Sequence, residues 1–288
     1  MINLHLHTNK SLDGRFDVNQ LIKLCESENI NYISITDHDT CDAYSDIKDY
    51  NNVKIIPGIE ADALIGKETY DILCYGFDID KINDWSKIQY TSIEERQTKI
   101  FNALKEICFK KNISLNEYVP YSPKDEYAHA AIFRMLDDNF KDKYNLTKVG
   151  DLYRESTINE EFPLYLDMSI VWPRIEDLRD VIHEAGGLIF LAHPYRYGEK
   201  DVDELLSQAL PYVDGIEVYN ENTLEEVNHL YKFSKDNNLL VSCGSDFHGN
   251  ERHNDIKVNL DEKIQEEIIY WVNKYILKWK SRTKMFGF

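Results

Sequence analysis

Apolar residues in this chain come in short runs, separated by turn signals or by stretches whose apolar positions recur every three to four residues. Seven runs predict strands: Ile2 to Leu6, Tyr32 to Thr36, Val53 to Ile59, Tyr70 to Phe77, Leu188 to Ala192, Gly215 to Tyr219 and Leu239 to Cys243. Between them, Val18 to Glu28 places Leu21, Leu24 and Cys25 on one face, and Val202 to Leu210 does the same with Leu205, Leu206 and Ala209. Strands alternating with amphipathic helices predict an α/β fold, either a βα-barrel or an open sheet. Only about ten residues separate Glu60 from Asp71, with Gly66 as a turn, so the third and fourth runs predict a hairpin that returns Asp71 towards Glu60.

The strand rhythm stops between Asp84 and Pro173. Thr91 to Lys111 predicts a helix, with Ser92 and Glu95 as a capping box and Ile93, Ile100, Leu104 and Ile107 on one stripe. A second helix is expected over His129 to Asn139, and Pro120, Pro123 and Pro163 break up the rest. The expected organisation is a barrel built from 1–85 and 174–288, interrupted by a helical insertion over its mouth at 86–173. Near the end, Glu262 to Lys280 carries Ile264, Ile268, Val272, Tyr275 and Trp279 at helical spacing, as expected of a packing helix.

Composition narrows the class. At 288 residues and 43% hydrophobic, the chain can bury a sizeable core. Its 51 acidic and 33 basic residues give a net charge of -18, which argues against stable binding of duplex nucleic acid. A small anionic substrate would need cations close by. No signal-peptide pattern opens the sequence and no run is long enough to cross a membrane, so a cytoplasmic protein without a membrane partner is expected. The five cysteines are scattered without a C-x-x-C pair and are expected to be core thiols.

The ends of the strand runs carry the chemistry. His5 and His7 close the first, Asp37-His38-Asp39 the second, Glu60 the third, His193 the fifth and Glu217 the sixth, and Asp246 and His248 follow the seventh. Residues i and i+2 of a strand share a face, so His5 and His7 can reach one ion together. The C-terminal edge of parallel strands is where a βα-barrel keeps its active site. His5, His7, Asp13, His38, Glu60, Asp71, His193, Asp246 and His248 make a nitrogen and oxygen ligand set without sulfur, suited to Zn, Mn or Fe. Converging carboxylates repel unless divalent ions lie between them. His183, His229 and His253 read as surface residues, Asp37 and Asp39 as groups able to orient imidazoles. For Glu217 and Tyr219, pocket lining, capping and packing all fit.

These residues also carry a resemblance. His5-Leu6-His7-Thr8 with Asp13-Gly14, Thr36-Asp37-His38-Asp39-Thr40, Gly58-Ile59-Glu60, Ala192-His193-Pro194 and Gly244-Ser245-Asp246-Phe247-His248-Gly249 are similar, in order, to motifs of the polymerase-and-histidinol-phosphatase (PHP) superfamily of metal-dependent phosphoesterases. Their wording resembles the branch that acts on nucleotides and RNA 5′ ends. The resemblance implies a distorted (β/α)7 barrel with an inserted small helical domain, and two or three divalent ions. By it, His5, His7, Glu60 and Asp246 hold one ion, Asp13, His38 and His248 a second, and Glu60, Asp71 and His193 a third. The family pattern has histidine where Asp71 stands, and Arg-Pro-His where this chain reads Tyr127-Ala128-His129. Arg196 matches a family position beyond a ligand strand and is the expected phosphate partner, with His129 a second candidate for substrate binding.

The expected function is hydrolysis of a phosphate ester of a nucleotide, a nucleoside 3′,5′-bisphosphate or an RNA 5′ end. The attacking species would be a metal-bridging water or hydroxide held by His5, His7, Glu60, Asp246 and His248. Two alternatives stay open: a phosphatase of histidinol phosphate or another small molecule, and a non-catalytic metal or nucleotide binder. The expected partner is a small phosphorylated molecule or a short nucleic-acid end.

Overall fold

The computed structural model describes residues 1–11, 13–48, 52–116, 120–197, 201–220, 222–251 and 253–277. Two compact units share the chain. Residues 1–63, 70–87 and the described residues from 175 onward form the first, and 64–69 with 88–174 form the second. The tip of the hairpin, 64–69, groups with the helical residues.

In the first unit, seven strands lie in one sheet in chain order. They are β1 (Ile2–Leu6), β2 (Tyr32–Ile35), β3 (Lys54–Ile65), β4 (Glu68–Tyr75), β5 (Leu188–Leu191), β6 (Gly215–Tyr219) and β7 (Leu240–Cys243). β1 to β3 pair in parallel, as do β5 to β7, and β4 runs antiparallel to β5. The antiparallel pair follows from the tight turn at Gly66, which leaves no room for a crossover helix between β3 and β4. The two ends of the sheet meet: the His7 N–H donates to the Phe247 carbonyl at 2.9 Å, and the Asn3 amide donates to Ser245 Oγ at 2.7 Å. The strand pattern predicted a βα-barrel or an open sheet; the seven-stranded α/β sheet with its ends in contact agrees with the distorted barrel that the resemblance implied.

Among the described residues, six α-helices accompany the strands: α1 (Val18–Ser27), α2 (Ile79–Gln89) and, in sequence beyond the second unit, four that precede or follow β5 to β7. α1 shows the local logic. Asp17 and Gln20 form a reciprocal capping box, and Val18, Leu21, Ile22 and Cys25 make the buried stripe. β1 is buried along its whole length, as a parallel strand covered on both faces is. All five cysteines are buried thiols.

The second unit contains α3 (Ile93–Lys110), α4 (Ala128–Met135), α5 (Asp138–Lys143) and α6 (Val149–Ile158). Its own core gathers Ile100, Leu104, Ile132, Leu136, Leu152 and Leu164. The Ser92–Glu95 capping box starts α3 as expected, but Ile93, about two turns before the first buried residue Ile100, is exposed. The single helix expected over His129 to Asn139 is two. Asp137 caps α5 by accepting from the Phe140 N–H, which breaks the run at Leu136.

Returning to the barrel, α7 (Ile175–Glu184) leads into β5, α8 (Val202–Ala209) and α9 (Leu224–Asp236) connect the last three strands, and α10 (Glu262–Trp271) follows β7. After α10 the chain widens into a π-turn at Val272–Leu277. The wider turn shifts the stripe by one position, so Ile276 is buried and the expected Tyr275 is exposed. Trp279 lies outside the described residues. Among the described residues no helix is long and apolar enough to cross a membrane.

Candidate metal centre

Four side chains from three parts of the sheet meet at one point: His5 and His7 at the end of β1, Glu60 within β3 and Asp246 past β7. His5 Nε2 lies 3.0 Å from Glu60 Oε2 and 3.2 Å from Asp246 Oδ1, and His7 Nε2 lies 3.1 Å and 3.0 Å from the same two oxygens. All four residues are buried. Despite the short separations, none of these four atoms has a hydrogen-bond partner. They aim at a shared point instead of at each other, and buried groups left so would each cost on the order of 1–3 kcal/mol. A divalent ion satisfies all four together, so the residues fit the metal that the resemblance implied.

The backbone is bent to make this aim possible. His193, Asp246 and Asp39 have positive φ values of 24°, 52° and 58°, conformations that cost roughly 1–3 kcal/mol in non-glycine residues. Each falls past the end of a strand, at a candidate ligand (His193, Asp246) or directly beside one (Asp39). At Gly244 a side chain has no room, since a Cβ there would sit 2.0 Å from His5 Cβ.

Hydrogen bonds on the far side of three rings leave each Nε2 free to ligate. His5 Nδ1 donates to Glu217 Oε1 at 2.9 Å. His248 Nδ1 donates to the Asp246 carbonyl at 2.8 Å. For His7 the proton is found by counting. Ser11 Oγ has one hydrogen and gives it to Asp37 Oδ1 at 3.0 Å, so it can only accept from His7 Nδ1 at 3.1 Å and from the His38 N–H at 3.0 Å. Asp37 in turn accepts from the Thr8 N–H and hydroxyl, both at 2.6 Å. These partners are what a metal-ligating histidine needs behind it.

Further ligand groups adjoin this point. Nitrogens of His7, His38 and His248 come together, and Asp13 lies 3.2 Å from His248 Nε2 but outside that grouping. Glu60 spans the centre: Oε2 also lies 3.4 Å from His38 Nδ1, and Oε1 lies 3.0 Å from His193 Nε2. Asp71 groups with His38 and Glu60 and lies 3.7 Å from His193. The hairpin thus returns Asp71 to Glu60, and the Tyr197 hydroxyl holds its position by accepting the Asp71 N–H at 3.0 Å.

Charge is shared tightly. Burial opposes protonation of His7, but Asp246 and Glu60 beside it raise its pKa to about 9. His5 is likewise held well above its ordinary value by Glu60, Glu217 and Asp246 against the effect of burial. For Glu60 burial works the other way, and His5, His38 and His193 prevail, keeping it well below the usual carboxylate range. Asp13 is lowered to about 2 by His248, against a smaller burial effect. Metal ions would displace the imidazole protons and take over this neutralising role.

Arg196 pairs with Asp246 Oδ2, the oxygen that faces away from His5 and His7. His183 and His229 pair with Asp214 and Asp203 on the surface. His253 departs from its surface reading: its ring is mostly covered, 5.4 Å from the His248 ring and 3.9 Å from Asp246 Oδ2. His129 belongs to the second unit, where it lines a cavity of about 330 Å³ with Tyr127, Tyr153 and Trp172. Burial alone pushes its pKa down to about 4, so at pH 7 it brings no positive charge to a phosphate.

Several contributors were not singled out from the sequence. Ser11 lies four residues after His7, Asp62 two after Glu60 in β3, and Asn220 three after Glu217. Asp62 is held well above its ordinary pKa by burial, with Asp39 and Asp71 adding to it. Of these, only Asp62 carried a signal, as an acid sharing the strand face of Glu60.

Known proteins bear on this geometry. The PHP domain family model matches residues 3–191. The 5′–3′ exoribonuclease of Haemophilus influenzae is 22% identical over 262 residues, covering 85% of this chain and 89% of its own. The 5′–3′ exoribonuclease Rnm of Salmonella typhimurium is 25% identical over 261 residues, covering 85% and 84%. Among solved structures, an amidohydrolase from Chromobacterium violaceum superposes with a TM-score of 0.59 at 19% identity, covering 93% of this chain and 96% of its own. A protein from Bifidobacterium adolescentis assigned to the metal-dependent phosphoesterases gives 0.54 at 18% identity, covering 93% and 95%. With a family model matched over more than half its length and a buried ligand set that fits metal ions, this chain belongs to the PHP domain family and is a metal-dependent phosphoesterase.

Proposed function

We propose that this enzyme hydrolyses a phosphate ester at the end of a nucleotide chain, either a nucleoside 3′,5′-bisphosphate or the 5′ end of RNA. The observation that carries the reading is the convergence of His5, His7, Glu60 and Asp246, with Arg196 bound to the outer oxygen of the same Asp246. The relatives named as 5′–3′ exoribonucleases favour a nucleic-acid end over other phosphate esters.

Two or three divalent ions held by the nine ligand residues would supply Lewis acidity and ionise a water near neutral pH. The chain does the rest. Glu60 faces His5, His7 and His38 with one oxygen and His193 with the other, so it ties the ligand groups into one centre. Arg196, anchored by Asp246, offers a planar fork that matches phosphate oxygens. A net charge of -18 then repels phosphate only at long range, where salt screens it. In the reaction a water oxygen bonds to phosphorus, the bond to the leaving oxygen breaks, and that oxygen takes up a proton.

The test is a substrate panel on metal-supplemented protein that reads both inorganic phosphate and nucleoside monophosphate. Nucleoside 3′,5′-bisphosphate and 5′-phosphorylated RNA are the expected substrates; release from histidinol phosphate alone would make this a small-molecule phosphatase. Arg196→Ala should lower kcat/KM about 10–100-fold, the worth of hydrogen bonds to a charged group.

A further inference from the structure

We propose that Glu217 is a positioning residue that locks the ligand His5 to the backbone of the ligand His193, and that Asn220 holds Glu217 in place. The inference rests on His5 being a metal ligand. Glu217 stands in the middle of β6 and is fully buried, the one acidic side chain of that strand. Its Oε1 accepts from His5 Nδ1 at 2.9 Å. Its Oε2 accepts from the His193 N–H at 3.0 Å and from Asn220 Nδ2 at 3.1 Å. These donors come from β1, from the turn after β5 and from the end of β6, so one carboxylate joins three parts of the barrel.

All of these contacts are donors, which decides the chemistry. A carboxylate only accepts and satisfies every one of them. Once His5 Nε2 is a ligand, its Nδ1 must carry the proton, and Glu217 holds that proton in line. Nδ1 and Nε2 point to opposite sides of the ring, so Glu217 stands behind His5 and is a support for the ligand, not a ligand of the same point. The missing side chain at Gly244 keeps this contact open, because a Cβ there would come within 2.9 Å of Glu217 Oε1. Asn220, itself buried, supplies a donor where an aspartate would set carboxylate against carboxylate.

Glu217→Gln keeps the shape and spoils the pairing. Whichever way its amide turns, an NH2 faces a donor: His5 on one side, or the His193 N–H and Asn220 on the other. Zinc affinity of the full chain, measured by competition with a chelator, should fall about 10–100-fold in Glu217→Gln, the usual cost of losing a partner behind a ligating histidine. Asn220→Ala, which removes one hydrogen bond and leaves the carboxylate, should lose only about 2–10-fold. In the zinc-loaded wild type, NMR should show the His5 Nδ1 proton far downfield and slow to exchange. Equal zinc affinity in Glu217→Gln and wild type would overturn the proposal. So would a wild-type His5 without that proton, a result that does not depend on any variant folding. A wild-type chain that binds no zinc, manganese or iron would instead overturn the metal centre itself, and the role of Glu217 with it.

Discussion

His7 in the barrel and His129 in the helical unit are both buried, yet their pKa values move in opposite directions. His129 has only burial acting on it and falls to about 4. His7 meets the same penalty, but Glu60 and Asp246 raise it to about 9. Burial by itself makes a neutral imidazole that packs. Carboxylates aimed at the same point make one that exchanges its proton for a metal ion. The backing differs as well: His7 has Ser11 and Asp37 behind it, whereas no hydrogen bond satisfies His129 Nε2.

The largest effect should come from removing what sets the two histidines apart. Asp246→Ala should lower bound metal and cut turnover on the order of 10³-fold or more while circular dichroism keeps the fold. Full activity in that variant would remove the distinction and the site with it.

Next in size is the pH response of the helical unit. The folded pKa of His129 lies below its unfolded value, so between about 6.5 and about 4 the unfolded chain binds a proton that the folded chain refuses. Stability is therefore fully present above pH 6.5, is lost as pH falls towards 4, and levels off below. His129 contributes up to about 3 kcal/mol to that slope. Urea unfolding of wild type and His129→Gln at several pH values checks it, and the variant should show the shallower acid loss. Equal slopes would mean that His129 is charged in the fold and belongs with His7 after all.

The smallest effect is expected at Asp71, where the family pattern has histidine. Its backbone is held by Tyr197, and its carboxylate already groups with His38 and Glu60. Asp71→His should keep turnover or raise it, read from initial rates at saturating manganese. Complete loss would give the aspartate a role that imidazole cannot fill.

Legibility in the sequence followed the same divide. The strands carried period and end chemistry together, so the seven strands and most of the candidate ligand residues could be read from short apolar runs closing on His, Asp or Glu. The helical unit had only apolar spacing. There Ile93 was placed on the buried stripe, and the cap at Asp137, which splits one expected helix into two, was missed. At the centre, the supporting contacts were the hardest to foresee. Glu217 was visible as a strand-end acid, but that it serves His5 and His193 together depends on three distant segments meeting. Ser11 is an ordinary loop serine until the hydrogen count around it is made. His253 reaches the site by the return of its loop, which spacing does not encode.

The most direct test of the central claim is release of nucleoside monophosphate or inorganic phosphate from 5′-phosphorylated RNA by protein stripped with a chelator and then titrated with manganese. The stripped enzyme should be silent, and activity should return as at least two ions bind per chain, because the ligand groups exceed what one ion can hold. Full release of either product by the metal-free protein would contradict the account.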